Sequence, residues 1–219
     1  MARIILVRHG QTEWNRVERF RGRIDVPLNE IGLVQAGMTG KRIAAEWNPT
    51  AVYSSPLSRA VETAKVTALY FDLPVQTHPG LIDIDYGRWG GLTPDEVREE
   101  WPHMIEAWYK TPDSLRIPDG ETLADVRVRA MEAVKELVDC HEGETLVVVG
   151  HTVVNRIILL GILGLSNDRF WRLRQDTCCI NIFEAEGGDF TLLSLNDTCH
   201  MRDIMQDEGG CHLGHCDEK

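Results

Sequence analysis

Two uninterrupted apolar runs most constrain how this chain can fold: RIILVR at residues 3–8 and TLVVVG within ETLVVVGH at 144–151. A strand with one wet face alternates apolar and polar residues, and these do not. Both faces must be covered, which requires helices on each side of a largely parallel sheet. The intervening segments supply them. NEIGLVQAGMTGKRIAAEW (29–47) carries Ile31, Val34, Met38 and Ile43 at helical spacing. AVYSS (51–55) is a short strand, and Ser55-Pro56 suits a cap and first helical position for a helix placing Leu57, Val61 and Ala64 on one face. PVQTHPGLIDIDYG (74–87) reads as extended, and residues 121–140 as an amphipathic helix. A buried helix follows His151, and CCINIFEA and FTLLSL close as a hairpin across Gly187-Gly188. The expected class is α/β, a three-layer sandwich with a mostly parallel central sheet.

Residues 88–120 break the alternation with Trp89, Trp101, Trp108 and several prolines, and read as a small helical insertion covering a site. The expected organisation is one domain over 1–198, followed by a mobile, acidic Gly/Cys/His tail over 199–219. The net charge of −11 argues against nucleic acid and anionic membranes as partners. No 18-residue apolar run is present, and the N-terminus reads as a strand rather than a leader, so a cytoplasmic protein with reduced cysteines is expected.

Both apolar strands end in histidine, at Arg8-His9-Gly10 and Gly150-His151. In an open α/β sheet, ligands bind beyond the carboxyl ends of the strands. If the two strands are neighbours, His9 and His151 face one crevice, and Arg59 joins from the helix after AVYSS. Arg8 and Arg59 offer forked donors suited to phosphate, and helix N-termini near Pro56 and after His151 add backbone N–H groups. Two arginines and two histidines without an acidic cage suit a phosphoryl group better than a metal. His9 flanked by guanidinium groups would keep its lone pair free as a nucleophile. The leaving alkoxide needs a proton, and Asp83 or Asp85, on one side of an extended segment, could supply it.

The motifs LVRHGQTEWN, RGRIDVPLNEIGLVQA, VYSSPLSRAVETA, LIDIDYGRWGGLT and LVVVGH together resemble the histidine phosphatase superfamily, over residues 3 to about 195. This branch holds cofactor-dependent phosphoglycerate mutases and many small phosphatases. The resemblance implies that His9 becomes phosphorylated and that Arg8, Arg59 and His151 complete the phosphate pocket. It implies that Asn15 contacts phosphate and that Gln11 lines the same loop. Asp83 stands where the family usually has a Glu proton donor, with Asp85 as a fallback. Tyr86 matches a tyrosine of the mutases, and Thr152 stands where the family often has Gly; both are counted with the substrate-binding residues. Gly90 replaces a common Glu after Trp89. No metal or other cofactor is implied, and a homodimer is compatible with the resemblance.

The mutases carry a Lys near position 94 and an Arg pair near 109–110, where this chain has Pro94, Tyr109 and Lys110. The expected function is therefore a metal-independent phosphomonoesterase for a small phosphorylated metabolite. A phosphoglycerate mutase and a non-catalytic phospho-ligand binder are the alternatives. Cys199-His200, Cys211-His212 and His215-Cys216 offer zinc-type ligands, but without a common finger spacing.

Overall fold

A computed structural model describes residues 1–202 of the 219. The two apolar runs are adjacent parallel strands: β1 (Ala2–Arg8) and β4 (Thr145–Gly150) pair with Arg3 opposite Thr145 and Arg8 opposite Gly150. β2 (Ala51–Ser54) and β3 (Val75–Thr77) extend the parallel part, and β5 (Ile180–Glu186) and β6 (Asp189–Asp197) form the expected antiparallel hairpin. The sheet order is β3-β2-β4-β1-β5-β6.

Side-chain alternation splits the core into two layers. Ile4, Leu6, Leu146, Val148 and Phe183 pack against α6 (Leu123–Cys140) and α7 (Thr152–Ile162). Ile5, Val7, Val52, Val147 and Val149 pack on the other face, with Ile43 of α2 (Glu30–Glu46) and Ala60 and Ala64 of α3 (Ser58–Ala68). The three-layer α/β sandwich is as expected from the sequence.

The apolar spacing on α2 identifies a helix but not its buried face. Ile31 and Val34 are exposed, whereas Gly32, Gln35, Ala36, Thr39, Gly40 and Ile43 are buried. Small residues let α2 lie close to its neighbours. A Cβ on Gly32 would sit 2.2 Å from the Gln11 carbonyl oxygen, and one on Gly10 would sit 2.5 Å from that of Gly32. α3 begins at Ser58 rather than Pro56, with Leu57 as an N-cap that makes no side-chain bond.

The segment expected to be extended over 74–87 is a strand only at β3. A 3₁₀ turn (Pro79–Leu81) follows, then irregular chain. Arg129 of α6 holds that chain, donating to the carbonyls of Gly80 at 2.9 Å, Ile82 at 2.6 Å and Asp83 at 3.2 Å. Glu121 anchors Arg129 through Nε at 2.9 Å.

Residues 88–120 contain α4 (Pro94–Glu100) and α5 (Pro102–Lys110), as well as short 3₁₀ turns. Thr93 and Glu96 cap α4 reciprocally, with Pro94 at its start. Trp89 and Trp108 are buried in the same cluster as α6 and α7, so the insertion is fused to the main core. Cys199–Met201 form a 3₁₀ turn, Met201 is buried, and Thr39 Oγ1 lies 3.0 Å from His200 Nε2. The rest of the expected tail, with Cys211, His212, His215 and Cys216, lies outside the described residues.

Candidate active site

The β1–β4 pairing places His9 and His151 side by side at the carboxyl edge of the sheet. Their ring centroids lie 5.2 Å apart, and the His9 N–H donates to the Gly150 carbonyl at 3.0 Å. His9 Nδ1 lies 2.7 Å from the Gly10 carbonyl oxygen. A carbonyl can only accept, so Nδ1 carries the proton and Nε2 is left with the lone pair. Burial pushes the His9 pKa well below its ordinary value, and Arg59, His151 and Arg8 push it further. Both effects favour the neutral ring.

Cations surround this nitrogen. Arg8 is buried and donates Nη1 to the Gln175 carbonyl at 2.6 Å. Arg59 is fully buried, bonding the carbonyls of Gly22 at 2.7 Å and Ile24 at 3.0 Å, and Asp83 Oδ2 at 3.3 Å. Arg21 supplies a third guanidinium, donating to Thr12 Oγ1 at 3.1 Å. Its pKa is lowered to about 9, first by burial and then by Arg8 and Arg59. The push of Arg8 and Arg59 on Arg21 marks local positive charge that an anion would relieve. His151 is the residue before α7 and its side chain does not cap the helix, so the first-turn N–H groups add to that field. At α3, by contrast, Asp25 Oδ1 accepts from the Ser58 N–H at 2.8 Å, so the open helix end expected near Pro56 is already occupied.

Asp83 is the carboxylate of the site. It is buried, with Oδ2 shared between Arg59 and His151 Nδ1, the latter at 3.8 Å, and Oδ1 accepting from the Ile84 N–H at 3.0 Å. Burial raises its pKa, opposed by Arg59 and the Ile84 bond. Asp85 does not share its side of the chain, because the segment is not a strand. It accepts from the Gly87 N–H at 2.9 Å and lies 3.4 Å from exposed Arg23. Asp83, not Asp85, makes the contacts to Arg59 and His151.

The remaining expected residues have mixed positions. His151 Nε2 lies 2.7 Å from Ser55 Oγ, so the serine read as a helix cap orients a histidine instead. Gln11 is buried beside His9 in sequence, with its Oε1 accepting from Asn29 at 2.8 Å. Asn15 Oδ1 accepts from the Thr12 N–H at 2.9 Å, stabilising the short helix α1 (Glu13–Arg16). Thr152 is the first residue of α7 and half-buried. Tyr86 is buried next to Asp83, and burial strongly raises its pKa. A cavity of about 300 Å³ opens between Arg21, Arg23, Ile24, Asp85, Tyr86 and Gly90. A larger groove of about 800 Å³ lies by Met1 and Ala2, at the opposite end of β1, and its described lining has no arginine or histidine.

Arg21 and Arg129 escaped the sequence reading. Arg21 lies in a loop with no periodicity to orient it, and Arg129 looks like an ordinary surface charge of an amphipathic helix. No group of three or more candidate metal ligands occurs among the described residues. No described helix is long and apolar enough to cross a membrane.

Comparison with known proteins agrees with this geometry. The family model of the histidine phosphatase superfamily (branch 1) matches residues 4–198. Phosphoserine phosphatase 1 of Hydrogenobacter thermophilus is 35% identical over 201 residues, covering 92% of this chain and 95% of that protein. Metal-independent phosphoserine phosphatase of Arabidopsis thaliana is 38% identical over 203 residues, covering 92% and 84%. Among solved structures, Bacillus stearothermophilus YhfR superposes with a TM-score of 0.88 at 34% identity, covering 92% of this chain and all of that one. With the motifs in register, the fold shared and the family matched from β1 to the end of β6, this chain belongs to the histidine phosphatase superfamily, branch 1.

Proposed function

We propose that this protein is a metal-independent phosphatase of a small phosphorylated metabolite, working through a phosphohistidine on His9. The observation that carries the reading is His9, its Nε2 left free by the Nδ1–Gly10 contact, set beside His151 in a pocket that also holds buried Arg8, Arg59 and Asp83. A phosphate monoester brings the negative charge this pocket lacks, and the arginines spread the charge of its equatorial oxygens.

His9 Nε2 attacks phosphorus, forming the N–P bond as the ester P–O bond breaks. Asp83, whose burial favours the protonated form, gives its proton to the departing alkoxide. Water then attacks the phosphohistidine, Asp83 takes the water's proton, and the N–P bond breaks to release inorganic phosphate and neutral His9. His151, beside both Asp83 and the His9 ring, would orient an equatorial oxygen. Gln11, Asn15, Tyr86 and Thr152 would complete the substrate surface, and residues 88–120 would form its cap.

The two phosphoserine phosphatases among the relatives favour a phosphorylated hydroxy-amino acid as substrate. Phosphate release from O-phospho-L-serine in EDTA tests the reading, with 3-phosphoglycerate in a parallel tube and 2-phosphoglycerate formation followed there. Phosphate without isomer is expected. Isomer formation dependent on added 2,3-bisphosphoglycerate would replace the phosphatase by a mutase, and ester binding without turnover would replace both by a binder.

A further inference from the structure

Arg156 takes no part in the chemistry above, yet its guanidinium is held as carefully as those of the phosphate pocket. It stacks on Phe170 at 5.0 Å and on Trp171 at 4.9 Å, and Nε donates to the Leu173 carbonyl at 2.6 Å. Trp171 is itself fixed by a bond from Nε1 to the Trp108 carbonyl at 2.7 Å. The two terminal nitrogens have no hydrogen-bond acceptor among the described residues, and neither is sealed from solvent. No described carboxylate pairs with the group; nearby Asp176 is taken by Arg174 at 2.8 Å.

Its position points to the site. Arg156 lies one turn after Thr152 on α7, and helical side chains lean toward the N-terminus, here the end that carries His151. The chain that anchors Arg156 also anchors Arg8: the first bonds the carbonyl of Leu173, the second that of Gln175. Two residues of chain span at most about 7 Å. The two guanidinium groups are thus fastened to neighbouring points of one segment. Trp108, whose carbonyl holds Trp171, also packs its ring on Tyr86 at 5.9 Å, beside Asp83.

We propose that Arg156 determines specificity by binding a second anionic group of the substrate, a carboxylate within a few bonds of the phosphate ester. The inference rests on the phosphatase reading and narrows it to phosphorylated hydroxy acids and hydroxy-amino acids. A planar fork with two free N–H edges matches a carboxylate, and stacking between rings reduces the entropy lost on binding. Burial lowers the Arg156 pKa to about 10, with Arg8 adding to the effect and Tyr86 and Asp176 opposing it.

The test compares O-phospho-L-serine with O-phosphoethanolamine, which lacks only the carboxylate. Binding is measured by calorimetry in the His9→Ala background, and kcat/KM in the otherwise unaltered enzyme. The protein should prefer phosphoserine by about ten- to hundred-fold, as one charged bidentate contact allows. Arg156→Met should bring that ratio close to one, and Arg156→Lys, which keeps charge and stem, should retain part of it. An unchanged ratio in both variants, or no preference in the parent protein, overturns the proposal. If Arg156→Met fails to fold, the Lys variant decides alone. The binding ratio stands apart from turnover: an enzyme that hydrolyses neither ester defeats the phosphatase reading, while the calorimetric preference still decides the role of Arg156.

Discussion

His9 and His151 lie with ring centroids 5.2 Å apart because Arg8 and Gly150 are register partners in adjacent parallel strands. Sheet pairing alone sets this spacing, and no loop has to close over the site to create it. One ring presents a free nitrogen, while the other is held by Ser55 next to the only buried acidic side chain among the described residues, Asp83.

Replacing His9 by Ala should lower phosphomonoesterase turnover by at least about a thousand-fold, since the attacking nitrogen is lost. Acid-labile phosphate should no longer attach to the protein in rapid-quench experiments. Retained labelling in this variant would assign the nucleophile elsewhere.

Asp83→Asn should slow alkyl phosphates by about 10²–10⁴-fold and p-nitrophenyl phosphate much less, because a good leaving group needs no proton. Asp85→Asn should leave both rates within about two-fold, since Asp85 caps the Gly87 turn and faces Arg23. The reverse pattern would exchange the two roles.

The pH profile should be bell-shaped. Activity requires neutral His9, so kcat/KM rises with pH through a pKa well below 6.5, the direction that burial and Arg59 impose. It also requires protonated Asp83, so the rate falls as pH rises through a pKa above 3.8. Steady-state rates across a buffer series locate both limbs, and Asp83→Asn should abolish the alkaline one.

Arg129→Met removes the clamp on three carbonyls, including that of Asp83. We expect kcat to fall by about ten- to hundred-fold with alkyl substrates, as a misplaced acid would produce, and stability by about 1–3 kcal/mol. Denaturant melts report the second effect. A shifted alkaline limb would separate misplacement of Asp83 from simple loss of folded protein.

Arg21→Gln tests the unexpected member of the pocket. Orthophosphate at about a hundred times its Kd should stabilise the parent protein by about 2.7 kcal/mol. Loss of Arg21 should weaken that anion about ten-fold, visible as a smaller phosphate-induced rise in Tm. An equal rise in both proteins would place Arg21 outside the anion's reach.

The parts of the site that follow from periodicity were legible in the sequence. Continuous apolar runs fix the strands, strand ends fix His9 and His151, and a helix start fixes Arg59. What periodicity does not reach was not legible. The 82–86 segment was read as extended, yet its shape is set by Arg129 from a distant helix, which is why Asp83 and Asp85 diverge. Ile31 and Val34 on α2 mislead because the helix packs largely through Gly32, Gln35, Thr39 and Gly40, whose burial leaves no hydropathy signal. Arg21 had no regular element to report its direction.

The close approach of Gly10 to Gly32 changes how the triplet Arg8-His9-Gly10 is understood. Its third letter does no chemistry. It is a clearance, the gap through which one backbone passes another, so that the loop bearing the reactive ring is braced by the first turn of a helix. A single methyl there would leave every polar group of the pocket in place and still misalign it. Inactivity in such a variant would report a shifted frame, with all of its chemical parts present.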